Sequence, residues 1–287
     1  MKHYHNLFLF VFLFFCFLTS CEHPDFPDSV EKGNLVVSIC QIEHIPFSAF
    51  TRAEAEQAFN RLCFAVYDSL GTRVKQVNQQ SGDNDFGTVR FQLSPGTYRV
   101  VVVAHSSDGN PTMTDPQKIQ FKNNQGYTDT FSSNDTVSVV ESGSELSVYL
   151  NRITSLCRFV VADTVPQNVA KMHFYYEGGS GAFDASTGLG CVKSKQSMNF
   201  AVEPGRDSTY YDLYTFLHGD EATLKLQVTA HDKDDNILNE REFQIPMKRL
   251  MVTRATGAFF SGSGSTSGVT ITIGINTDWE GEQVISY

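Results

Sequence analysis

The chain is 287 residues long, with 41% hydrophobic and 19% charged side chains, enough apolar material for two domains of about 130 residues after a short leader. Its formal net charge of −10 excludes the basic surface of a nucleic-acid binder and a polybasic patch for membrane contact.

The first element is a secretory leader, residues 1–20. Lys2 precedes an apolar run from Leu7 to Leu18, built almost wholly of Leu, Phe and Val. The run is shorter than the ~20 residues of a spanning helix and suits the apolar stretch of a signal peptide. Thr19-Ser20-Cys21 follows. A Cys directly after small residues at that place is what bacterial lipoprotein processing acts on, so Cys21 is expected to be acylated and to become the N-terminus. Several acyl chains, at ~0.8 kcal/mol per buried CH2, would hold the protein stably on a membrane, and the acids Glu22, Asp25 and Asp28 after Cys21 resemble the signals that send some Bacteroidetes lipoproteins to the surface of the outer membrane. Residues 21–33 are acidic, contain Pro24 and Pro27, and read as a flexible tether.

Beyond the tether the predicted elements are mostly strands. Leu35–Cys40 is a short apolar strand. Thr51-Arg-Ala-Glu54 is a capping box, and Ala53, Ala55 and Ala58 favour a short helix after it. Arg61–Tyr67, Thr88–Leu93 and Thr97–His105 are strands, separated by turns at Asp68–Gly71 and Ser94-Pro-Gly96. The Val100–Val103 run suits a strand buried on both faces. Thr136–Val140 and Leu146–Leu150 read as a hairpin around Ser142-Gly143.

A second series opens with strands at Leu156–Ala162 and Lys171–Tyr176, then a Gly/Ser-rich loop over Gly178–Gly190. Met198–Val202, Tyr210–Phe216, Leu224–His231 and Ile237–Ile245 follow, the last two joined by the turn Lys233-Asp-Asp-Asn236. Ala258–Phe260 and Val269–Ile275 flank a flexible Ser/Gly loop, and the series ends near Trp279. Short strands at 8–12-residue spacing indicate all-β sandwiches. The expected division is residues 34–150 and 151–287.

Six Cys are present. With Cys16 in the leader and Cys21 acylated, Cys40, Cys63, Cys157 and Cys191 remain. An even number in an oxidising compartment permits two disulfides, with Cys40–Cys63 and Cys157–Cys191 placing one in each domain, or four buried free thiols.

Nothing in the chain has the layout of an active site, so no enzyme activity, cofactor, metal or small-molecule substrate is expected. His105-Ser-Ser-Asp108 gathers triad residue types as neighbours, whereas a triad is assembled from distant segments. Asp232–Asn236 imitates the start of a calcium loop, but Ile237 stands where Gly is needed and Phe243 where the bidentate Glu is needed. The His residues show no metal-ligand spacing. Tyr210, Tyr211, Tyr214 and Phe216 are candidates for a sugar-stacking platform, against the plainer reading of core and edge packing. Asp-Ser/Thr-apolar triplets at Ser29, Ser69, Thr136 and Thr164 resemble short O-glycosylation sites.

Several segments in order resemble the FimB-type fimbrial anchor lipoproteins of Bacteroidetes: Phe64–Gly71, Gly96–Ser106, Asp115–Ile119, Gly126–Phe131, Leu150–Ile153, Lys248–Gly257 and Ile273–Trp279. The chain departs from that pattern at Leu250, where the family often has Asn, and in the longer loop Ser261–Gly268. The resemblance implies two tandem Greek-key, transthyretin-like sandwiches and a place at the base of a fimbrium. It implies a fimbrillin shaft subunit as partner, engaged by strand exchange, and a lipid at Cys21 as the hold on the outer membrane. The alternatives are a shaft or tip fimbrillin, cut after Arg52 or Arg61, and a glycan-binding surface lipoprotein of the SusE kind, for which Tyr210, Tyr211 and Trp279 are candidate contacts.

Overall fold

The computed structural model describes residues 33–43, 45–46, 58–123, 127–261, 272–274 and 281–287. The leader, Cys21, the helix expected after Thr51, and Trp279 lie outside the described residues.

All named elements are strands. In chain order, the first half holds β1 (Leu35–Ile42), β2 (Ile45–Pro46), β3 (Arg61–Tyr67), β4 (Arg73–Gln80), β5 (Thr88–Phe91), β6 (Gly96–His105), β7 (Ile119–Gln120), β8 (Phe131–Val139) and β9 (Ser144–Arg152). The second half holds β10 (Ser155–Val161), β11 (Lys171–Glu177), β12 (Ala182–Phe183), β13 (Gln196–Ala201), β14 (Thr209–Thr215), β15 (Glu221–His231), β16 (Ile237–Lys248), β17 (Met251–Gly257), β18 (Thr272–Gly274) and β19 (Gly281–Ser286).

The two halves repeat one topology, which gives the expected pair of sandwiches. In the first, β5, β1 and β9 form one layer and β4-β3-β6-β8 the other. In the second, β14-β10-β17 and β13-β11-β15-β16 take the same places. Strand directions also repeat: β1 runs antiparallel to β5 and parallel to β9, as β10 does to β14 and β17. The second sandwich carries an addition, β19 lying parallel to β17 with β18 outside it.

Alternation along each strand builds the cores. Leu62, Phe64 and Val66 of β3 and Val100 and Val102 of β6 point into the first sandwich, with Leu35, Val37, Val148 and Leu150 from the facing layer. Phe159, Phe174, Leu226, Phe243 and Ile245 fill the second. The opposite faces of β3 and β6 are also buried. Cys63, Ala65, Tyr67, Val101 and Val103 lie in a third cluster with Met113, Phe121 and Tyr127, and with Phe183 and Phe216 of the second half. The valine run of β6 is therefore covered on both sides, as expected, and Gly33–Tyr287 forms one compact unit.

Three details depart from the sequence reading. The Gly-rich stretch after β11 is a packed seam. Its β12 pairs antiparallel with β7 of the first half, Phe121 N donates to Gly181 O at 2.9 Å, and a Cβ on Gly179 or Gly181 would overlap Thr215 or Tyr127. The expected hairpin at Ser142-Gly143 is a crossing between layers. β8 and β9 pair only at Phe131↔Arg152 and Ser132↔Asn151, at the end far from the turn. A turn signal in sequence marks a chain reversal without saying which sheet the return strand joins. Finally, β16 and β17 are joined at Leu250, whose φ is +57°. A Leu there costs about 1 kcal/mol that an Asn, more at ease in the left-handed region, would largely avoid.

Candidate functional site

β1 is the first strand among the described residues and sits in a slot between two others. Leu35–Ser38 pair antiparallel with Thr88–Phe91, and Leu35–Ile42 pair parallel with Ser144–Leu150, with a bulge at Cys40. Leu35, Val37, Ile39 and Ile42 are buried. Each contributes about 1.5–3 kcal/mol by leaving water, a large share of the 5–15 kcal/mol of a typical domain.

Both ends of β1 are pinned by polar groups. At the N-terminal end the Asn34 side chain donates to Leu93 O at 2.8 Å and accepts from Leu93 N at 2.9 Å, while Asn34 O accepts from Ser144 N. At the C-terminal end Glu43 turns with φ +48°, and its carboxylate meets Arg152 at 2.8 Å. Arg152 Nε also reaches both oxygens of Asp129 at 3.0 Å, and its guanidinium lies 4.9 Å from the centre of the Phe131 ring. Thr154 Oγ1 donates to Asp129 Oδ1 at 2.9 Å. Arg152 thus ties the end of β1 to β9 and to the segment before β8. Neither Asn34 nor Arg152 stands out in the sequence reading. Arg152 lies within a family-resembling segment, but its partners are 109 and 23 residues away, so no local pattern reveals them.

Cys40, Cys63, Cys157 and Cys191 stand as free thiols, one of the two states that their number left open, though only Cys63 and Cys157 are buried. Cys63 faces the cluster between the halves, while Cys40 sits at the bulge of β1 and donates to Val148 O at 3.3 Å. Cys157 is buried in the second core and Cys191 is exposed. Each expected pair therefore has its members in different environments. Burial pushes the Cys63 and Cys157 thiols up to about 12, so neither is a nucleophile at neutral pH.

His105 is buried at the end of β6. Its Nδ1 accepts from Ser107 N at 3.2 Å, its Nε2 is 3.7 Å from Cys63 Sγ, and its ring meets Phe121 edge-on at 5.0 Å. Burial, helped by nearby Arg61, pushes its pKa down to about 4. A general base needs a pKa near the working pH, so this pair is structural. The unfolded chain protonates His105 near pH 6.5 and the folded chain only near pH 4. Its contribution is therefore full above pH 6.5 and is lost as pH falls through that window, about 3 kcal/mol in all. Urea titrations at pH 7 and 4.5 should show this loss in the parent and a flatter pH dependence in His105→Leu; equal slopes would refute the assignment.

The other sequence candidates come apart. Tyr211 is buried in the second core and Phe216 in the cluster between halves, whereas Tyr210 is 59% exposed and lies under Arg158 at 4.6 Å. The strand's alternation divides the aromatics among three environments, so they form no platform. Asp232 accepts from the amides of Asp234 and Asn236 and from the Asn236 side chain, all at 2.9 Å, which closes the hairpin turn. Among the described residues no group of three or more His, Cys, Asp or Glu could hold a metal. Ser69, Thr136 and Thr164 are exposed; Ser29 lies outside the described residues.

Residues 47–284 match the family of fimbrillin-A associated anchor proteins Mfa1 and Mfa2. The chain belongs to that family. Comparison with curated proteins finds no match. Among solved structures, a candidate adhesin from Bacteroides ovatus is 17% identical, with a TM-score of 0.49 over 79% of this chain and 87% of that one. The fimbrial anchor protein Mfa2 from Porphyromonas gingivalis is 13% identical, with a TM-score of 0.40 over 73% of this chain and 82% of that one. A candidate cell adhesion protein from Bacteroides eggerthii is 11% identical, with a TM-score of 0.42 over 88% and 96%. As a member of the anchor family, the chain is a fimbrium-associated protein of the cell surface.

Proposed function

We propose that the chain anchors the base of a surface fimbria on the outer membrane, holding it through a lipid on Cys21 and engaging the shaft fimbrillin by adding or exchanging a β-strand. In this role it also ends the fibre and so limits its length. The family match carries the reading. The seating of β1 supports it. A pull on the lipid would reach β1 first through residues 21–33. There it would load two hydrogen-bonded ladders in shear, with four buried side chains and a pinned group at each end.

The shaft-subunit alternative needs a proteolytic cut that removes β1. Arg61, one of its two candidate sites, is the first residue of β3 and is paired with both Gln80 and His105, a poor place for a protease to bind extended backbone. Arg52 lies outside the described residues.

The test is affinity purification of the tagged chain from native outer membranes, with mass spectrometry of its N-terminus and companions. Intact chain with acylated Cys21 and co-purifying fimbrillin is expected. An N-terminus just after Arg52 would make it a shaft subunit, and companions dominated by a TonB-dependent transporter would move it to glycan capture. Cells carrying Cys21→Ala should shed their fimbriae; full-length fimbriae at normal density would overturn the anchor.

A further inference from the structure

We infer that the outer edge of β9 is the strand-docking site for the shaft subunit, and that the docked strand runs parallel to β9 in the position β19 holds on β17. This rests on the anchor reading above and adds the engaging edge and the strand direction to it.

The argument comes from the repeat. β9 and β17 are equivalent strands, each parallel to the first strand of its sandwich. On β17 the far edge is taken by β19, with Met251–Thr256 paired parallel to Gly281–Ser286. The addition also closes the flank of the sandwich. Ile285 is buried in the second core, and Tyr287 stacks on Phe159 at 4.6 Å, meets Phe243 at 4.7 Å and donates to Val160 O at 2.7 Å. On β9, among the described residues, the far edge is paired only at Asn151 and Arg152.

Ser144 N and Leu150 O bond toward the β1 side. In a parallel ladder alternate residues bond to alternate sides, so the amides and carbonyls of Glu145, Ser147 and Tyr149 face the open edge. Their spacing suits a strand of about six residues, the length that β19 pairs with β17.

The chemistry of the edge fits a protein strand. Val140, at the start of the turn into β9, is 47% exposed. Leu146 is partly buried against the first core, leaving apolar surface for an incoming side chain as Ile285 finds on the other sandwich. By contrast, the edge strand β4 carries Arg73, Lys75 and a row of Gln and Asn, and β16 carries Glu240, Arg241, Glu242 and Pro246, residue types that discourage pairing. The occupant is therefore an extended segment of the shaft subunit with apolar residues at alternate positions.

Proline substitution tests this on the full chain. Ser147→Pro removes an amide that faces the open edge, which a folded edge tolerates. It should leave the melting temperature within a few degrees and reduce recovery of shaft fimbrillin from native outer membranes at least tenfold. Val148→Pro removes an amide facing β1 and should fail to fold. Undiminished recovery with folded Ser147→Pro would overturn the edge assignment and leave the anchor reading intact, whereas no fimbrillin with the parent chain would remove both. Should Ser147→Pro itself not fold, amide exchange decides. Glu145, Ser147 and Tyr149 must exchange fast in the free protein and become protected on binding purified shaft subunit; protection in the free protein, or none in the complex, overturns the proposal.

Discussion

Replacing Phe216 by alanine should cost about 3–5 kcal/mol of folding stability and loosen the two halves from each other. Phe216 follows β14 and is fully buried, yet it contributes nothing to the core of its own sandwich. Its ring stacks on Phe121 at 5.9 Å and lies 5.0 Å from Phe183 and 6.3 Å from Tyr127. Phe121 and Tyr127 belong to the first half and cover the outer faces of β3 and β6. Truncation would leave a cavity bounded by a two-residue sheet and by tightly packed glycines, neither of which can move in to fill it. Urea denaturation should show the loss. Phe183→Ala shares the cavity, so the double variant should fall short of additivity by 0.5–3 kcal/mol in the usual range of coupled neighbours. A loss under about 1 kcal/mol for Phe216→Ala would mean that the halves are held elsewhere.

The strands that were legible in the sequence are those whose two faces differ or are both strongly apolar. The hairpin of β15 and β16 shows alternation with an Asp-Asn turn, and β6 shows four consecutive valines. β4 is hard to see because six of its eight residues are polar and its two valines, Val74 and Val77, break the alternation. Its one buried side chain is Gln79, whose amide donates to Asp85 O and Thr88 O and accepts from Gly87 N, a polar plug that no hydrophobicity pattern detects. β12 is hidden for the opposite reason. The glycines around it look like freedom in sequence, but the structure uses them for close approach. Cysteine parity allowed either two disulfides or four free thiols, and the count alone holds no information on which side chains approach each other. Of the candidate site, the sequence marked the first strand and the Leu150–Ile153 segment. It could not join them, since an ion pair across 109 residues leaves no local trace.

That join carries the second large effect. Arg152→Ala should cost about 2–4 kcal/mol, less than the 3–5 kcal/mol of a fully buried pair because the partner carboxylates keep 20–27% of their side-chain surface in water. The loss has two parts. The guanidinium leaves the Phe131 face, and Glu43 and Asp129 lose the cation that they share. The parts separate by design. Arg152→Met keeps apolar contact with Phe131, and adding Asp129→Asn removes one of the two carboxylates that faced the guanidinium, so the double variant should recover stability relative to Arg152→Met alone. The loss should also be local. Glu43 directly follows β1, so the amides of Val37–Ile42 should lose protection against hydrogen exchange, while those of β10, the equivalent strand in the second sandwich, keep theirs. Uniform loss across both strands would make Arg152 a general packing residue. A loss confined to β1 would make it the latch that holds that strand between β5 and β9.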